Sequence, residues 1–113
     1  LVHPSNDVEV ISGQGTIGLE FVEQAREQWG GQDLDAVIVP VGGGGLIGGI
    51  AAAIKGLLPR CKVFGAEPAN AGDAFRSKAE HRIVPHDRPP QTIADGLKTI
   101  LGSNTFPIVD RLP

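Results

Sequence analysis

No methionine occurs in the 113 residues, and cysteine occurs once, at Cys61. The missing methionine leaves no initiator, so the chain is expected to be a piece of a longer protein, with the remainder absent. A single cysteine excludes an internal disulfide and fits a reducing compartment; a cytoplasmic location is expected, with Cys61 a small buried apolar residue. Positive charge is not in excess either: ten Lys and Arg stand against thirteen Asp and Glu, giving a net charge of −3 spread along the chain. Without a basic stripe, the footprint for nucleic acid or an anionic membrane is missing. The longest apolar stretch, Val37 to Ile54, is interrupted by glycines, and no charged-then-apolar leader opens the sequence. Neither a membrane span nor a signal peptide is expected, which leaves a small molecule as the default partner.

Glycine is what the chain has in plenty. Its sixteen glycines follow no Gly-X-Y period and form no linker, so they are expected at turns, where they mark function. A chain of this length suits one domain that buries roughly two thirds of its unfolded surface.

Hydrophobic periodicity supplies the elements. Pro4-Ser5-Asn6-Asp7 reads as a turn closing an extended start. From Thr16, Ile17, Phe21, Val22 and Ala25 recur at helical spacing against a charged face, and Gly30-Gly31 stops that helix. Ala36 to Val41 is a short β-branched run, suited to a strand buried on both faces. Gly45 to Leu58 reads as a nearly all-apolar helix ended by Pro59, and Lys62 to Ala66 as a second strand. Together these make a β-loop-α-β unit of about thirty residues, so the class is α/β with a parallel sheet. Asn70 to Lys78 is expected as a short helix, Ile83 to Pro90 as a loop, and Asn104 to Leu112 as weak helix.

The four consecutive glycines, Gly42 to Gly45, lie where the first strand hands over to the helix. Backbone N–H groups there are unpaired, face the positive end of a helix dipole, and carry no Cβ to keep an anion away. A Walker A loop is excluded, because Leu46-Ile47 stands where Lys and Ser/Thr are required. The dinucleotide pattern is met formally by Gly43-x-Gly45-x-x-Gly48, with Glu67 about twenty residues on.

Val39-Pro40-Val41-Gly42-Gly43-Gly44-Gly45-Leu46 resembles the tetraglycine loop of the serine racemase and serine/threonine dehydratase family, pyridoxal-phosphate enzymes of fold type II. Ile11-Ser12-Gly13-Gln14-Gly15-Thr16 is similar to that family's GQGT segment, Ala66-Glu67-Pro68 to its AEP, and Thr92-Ile93-Ala94-Asp95-Gly96 to its TIADG, all in the family's order. The resemblance spans essentially the whole chain. It implies that residues 1–113 are part of the large, cofactor-binding domain, a doubly wound parallel-sheet domain.

The resemblance also assigns roles. Gly42, Gly43, Gly44 and Gly45, with the Leu46 amide, would hold the phosphate of pyridoxal 5′-phosphate. Gly96 matches the glycine lying against the pyridoxal ring, and Asp95 beside it could orient a polar group near the substrate or cap a turn. Glu67, the Ala71 carbonyl and Asp73 match the racemase branch's site for Mg²⁺ or Ca²⁺. Ser5 falls where some members carry an asparagine near the ring hydroxyl, and that contact is left unassigned. The family's Schiff-base lysine and second acid/base have no counterpart here, so Lys55, Lys62, Lys78 and Lys98 are read as surface lysines and the chain alone as inactive. His3, His81 and His86 share no metal-ligand spacing and are read as solvated. The intact enzyme is expected to be a homodimer acting on L-serine, L-threonine or D-serine. A nicotinamide-dinucleotide unit, with Glu67 on the ribose, and a non-enzymatic relic of the fold stay open as alternatives.

Overall fold

The computed structural model describes residues 1–113. Helix α1 runs from Val8 to Gln28, eight residues earlier than the apolar periodicity suggests. Its start is fixed by Asp7, whose carboxylate accepts the Glu9 N–H at 2.8 Å as an N-cap, and packing of Gly15 and Gly18 against the helix at 45–57 offsets their low helix propensity. At the other end Gly30 and Gly31 take φ of 64° and 87°, and the Gly31 N–H donates to the Arg26 carbonyl at 2.7 Å, a Schellman-type stop.

Strand β1 (Ala36–Pro40) pairs in parallel with β2 (Lys62–Ala66), in a register running from Ala36 opposite Lys62 to Pro40 opposite Ala66. Between them lies helix α2 (Gly45–Leu57), so the chain is an α/β fold with a parallel sheet. The expectation that β1 is buried on both faces is corrected. Val37 and Val39 are buried, but Ile38 on the opposite face is 73% exposed. Its register partner Phe64 is also exposed, so the sheet offers one open apolar face.

Helix α2 packs along α1 on one side and meets the sheet on another, which accounts for its apolar circumference. Its glycine content has a packing cause. A methyl group built at Gly49 would lie 2.6 Å from the Gly15 nitrogen and closer still to the Ile11 carbonyl oxygen. One built at Gly18 would lie 2.9 Å from the Ala53 Cβ. The two helices therefore meet backbone to backbone, and several glycines expected at turns belong to this crossing instead. Val22, Val37, Val39, Ile47, Ile54 and Val63 fill the core beneath it.

Beyond β2, a 3-10 turn at Ala69–Ala71 precedes helix α3 (Asp73–Glu80), which begins three residues later than the sequence pattern suggests. The short helix α4 (Phe106–Asp110) closes the chain. Lys78 is not a surface lysine: its Nζ donates to the carbonyls of Val109, Asp110 and Leu112, at 3.2, 3.1 and 2.5 Å. It caps the C-terminal end of α4 from α3, a position favoured by the helix dipole. Cys61 is buried as expected, and burial pushes its thiol pKa up. No helix is long and apolar enough to cross a membrane.

Candidate functional site

The parallel ladder ends with the Val41 N–H donating to the Ala66 carbonyl at 2.8 Å, and the four glycines begin at the next residue. Gly44 takes φ of 92° as the N-cap of α2, with no side chain capping the helix and no acidic residue in its first turn. The N–H groups of Gly42, Gly43, Gly44, Gly45 and Leu46 donate to no acceptor in the protein. Five adjacent donors at the positive end of a thirteen-residue helix are an arrangement suited to an anion.

The glycines are also demanded by their surroundings. A methyl group at Gly42 would lie 2.8 Å from the Gly96 carbonyl oxygen, and one at Gly43 2.6 Å from the Ser5 Cβ. One at Gly44 would lie 2.8 Å from the Thr105 Cβ and 2.9 Å from the Leu101 Cδ2, and one at Gly45 3.0 Å from the Ser5 Cα. Three distant segments thus converge on the loop: Ser5, the Gly96–Thr99 stretch, and Leu101 with Thr105. The fold brings the Gly96 carbonyl against Gly42. Gly96 itself has open space where a Cβ would stand, with nothing within 4 Å.

Thr105 gives no signal in the sequence, yet it is completely buried against the loop. Its hydroxyl donates to the Gly43 carbonyl at 2.7 Å and accepts the Gly102 N–H at 2.9 Å. Asn6 holds the same turn in place. Its Oδ1 accepts the N–H groups of Asn104 and Thr105, at 2.7 and 3.3 Å, and its Nδ2 donates to the Ser103 hydroxyl.

The two carboxylates nominated for a cation lie close together but are engaged by backbone donors. Glu67 accepts the N–H groups of Ala74 and Phe75, at 3.2 and 2.8 Å, and so caps the first turn of α3. Asp73, 1% exposed, accepts the Leu101 N–H at 3.0 Å. Burial raises both pKa values; the backbone N–H groups oppose this, and the Asp73 charge adds to it at Glu67. No group of three or more His, Cys, Asp or Glu side chains is arranged to hold a metal ion. His86 departs from the solvated reading. Its side chain is only 13% exposed, and its Nε2 meets the Lys98 carbonyl at 2.9 Å and lies 3.9 Å from Asp73. A cleft of about 920 Å³ runs beside Glu67, Asn70, Arg76, His86 and Arg88. The Asp95 side chain is 93% exposed and paired with Lys98 at 3.1 Å.

A parallel β-α-β unit whose helix opens on a loop of unpaired backbone donors defines a class: α/β proteins that grip an anionic cofactor by its phosphate. The model of the pyridoxal-phosphate dependent enzyme family matches residues 1–113, and the chain belongs to that family. It is 50% identical over 112 residues to serine racemase of Mus musculus, covering 99% of this chain and 31% of the relative. The structure of maize serine racemase superposes with a TM-score of 0.89 at 45% identity, covering 99% of this chain and 33% of that one. The crystal structure of a T.th. threonine deaminase superposes with a TM-score of 0.91 at 48% identity, covering 99% and 40%. The chain therefore spans about a third of the length of the serine racemases it matches. The fold is that of fold type II pyridoxal-phosphate enzymes, and family membership displaces the dinucleotide alternative.

Proposed function

We propose that this chain is the phosphate-binding portion of the large domain of a pyridoxal-phosphate-dependent serine/threonine dehydratase or serine racemase. The observation that carries the reading is the run of unpartnered N–H groups from Gly42 to Leu46 at the start of α2. Bound there, pyridoxal phosphate supplies an electron sink for chemistry at the Cα of an amino acid. The chain's own part is positional. Gly42 to Gly45 and the Leu46 amide bind the phosphate, and Gly96, open where a Cβ would stand, leaves room for the ring. Asp95 faces solvent and is left a minor candidate for a polar contact to substrate.

Glu67, Asp73 and the carbonyl of Ala71 are the groups that would hold Mg²⁺ or Ca²⁺. A buried carboxylate, Asp73, and a half-buried one, Glu67, both with raised pKa values, would gain from a neighbouring divalent charge, and the Ala71 carbonyl would supply the third ligand. The open apolar face at Ile38 and Phe64 supports a larger domain that covers it. A cytoplasmic homodimer acting on L-serine, L-threonine or D-serine completes the proposal.

The test uses the full-length protein. Addition of pyridoxal phosphate is expected to give a cofactor absorbance band, and serine to yield oxoacid and ammonia or the opposite enantiomer. Binding without turnover of any hydroxyamino acid would support the non-enzymatic relic. Residues 1–113 alone are expected to turn nothing over, checked by borohydride reduction and oxoacid assay.

A further inference from the structure

We infer that Thr105 is a positioning residue that sets the orientation of the Gly43–Gly44 peptide, and thereby aims a phosphate-binding N–H at the cofactor. The inference rests on the phosphate-site reading above and adds a residue that takes no part in contacting the ligand. A run of four glycines is conformationally permissive, so the loop's peptide planes are free to rotate unless something holds them. A peptide that flips would turn its carbonyl oxygen toward the bound anion and remove one donor at once.

The only side chain that hydrogen-bonds the loop is Thr105, through the 2.7 Å bond from its hydroxyl to the Gly43 oxygen. All peptide bonds are trans, so the Gly43 oxygen and the Gly44 N–H point in opposite directions across one plane. Tethering that oxygen to Thr105 fixes the Gly44 N–H on the side away from Thr105. The hydroxyl is itself directed. It accepts the Gly102 N–H at 2.9 Å, and of the two carbonyl oxygens within its reach, Gly43 at 2.7 Å and Gly102 at 3.3 Å, the nearer is the Gly43 oxygen. Its Cβ and the Leu101 side chain fill the space beside Gly44, which is held at φ 92°. Asn6, by accepting the N–H groups of Asn104 and Thr105, anchors this turn to the opposite end of the chain.

The experiment compares wild type with Thr105→Val, which keeps the shape and removes the donor, and Thr105→Ser, which keeps the donor. Each full-length protein is titrated with pyridoxal phosphate and with pyridoxal, which lacks the phosphate, and the bound cofactor is observed by ³¹P NMR. Thr105→Val is expected to weaken pyridoxal phosphate about tenfold, the scale of one buried hydrogen bond, while leaving pyridoxal unchanged. Its phosphorus resonance should shift, and Thr105→Ser should restore both affinity and resonance. Should Thr105→Val fail to fold, Thr105→Ala carries the same comparison. Equal weakening of both ligands, or a lower melting temperature with an unchanged affinity ratio and resonance, overturns the positioning role. Failure of wild type to bind pyridoxal phosphate would instead sink the functional reading.

Discussion

Glycine does different work in the two places where it is concentrated. At the crossing of α1 and α2, Gly15, Gly18 and Gly49 are small so that two backbones can touch, and each is closed off by the facing helix. At the head of α2, Gly42 to Gly45 also meet neighbouring segments, but they leave a row of N–H groups without partners. The first cluster stores its value in packing and the second in unspent hydrogen-bonding capacity. Substitutions should separate them, because the first affects only folding while the second affects folding and cofactor together.

The largest effect is expected at the crossing. Gly49→Ala places a methyl against the α1 backbone, where no flexible side chain can yield, and should cost about 3 kcal/mol, read from urea unfolding of the full-length protein. A loss below about 0.5 kcal/mol would show that the helices are free to separate. Gly44→Ala comes next: a left-handed φ and the collision with Thr105 should cost about 2 kcal/mol, and pyridoxal-phosphate affinity should fall more than tenfold. Gly96→Ala meets no atom of the chain, so stability should hold within about 0.5 kcal/mol while cofactor affinity drops about tenfold, measured by equilibrium dialysis. Unchanged affinity would remove Gly96 from the site. The smallest effect has the opposite sign. Gly13 lies within α1 with open space around it, and Gly13→Ala should stabilise the protein by about 0.5 to 1 kcal/mol in the same unfolding assay.

The β-α-β unit was legible because its signals are local. A β-branched run from Ala36, a glycine stop, an apolar stretch and Pro59 mark their own boundaries within about thirty residues. Helix α1 is legible only from Thr16, since Gly13 and Gly15 weaken a helix in isolation; the reason for Gly15 lies on α2, and nothing in the structure explains Gly13. Lys78 and His86 were misplaced for a related cause: what shields each is a carbonyl far along the chain, at Val109 to Leu112 for one and at Lys98 for the other. The glycine loop announced itself, but Thr105 stands 62 residues from the carbonyl it holds. Only a folded chain brings them together. The engagement of Glu67 with the first turn of α3 was equally hidden, because a carboxylate after a strand reads the same whether it caps a helix or faces solvent.

The bonds from Asn6 to Asn104 and Thr105 join residues 98 and 99 positions apart. Closing so long a loop is slow compared with forming α1 or the β-α-β unit, whose contacts are local. In refolding, helical circular dichroism should therefore recover before competence to bind pyridoxal phosphate. The cradle is thus completed later than the β-α-β unit that carries it.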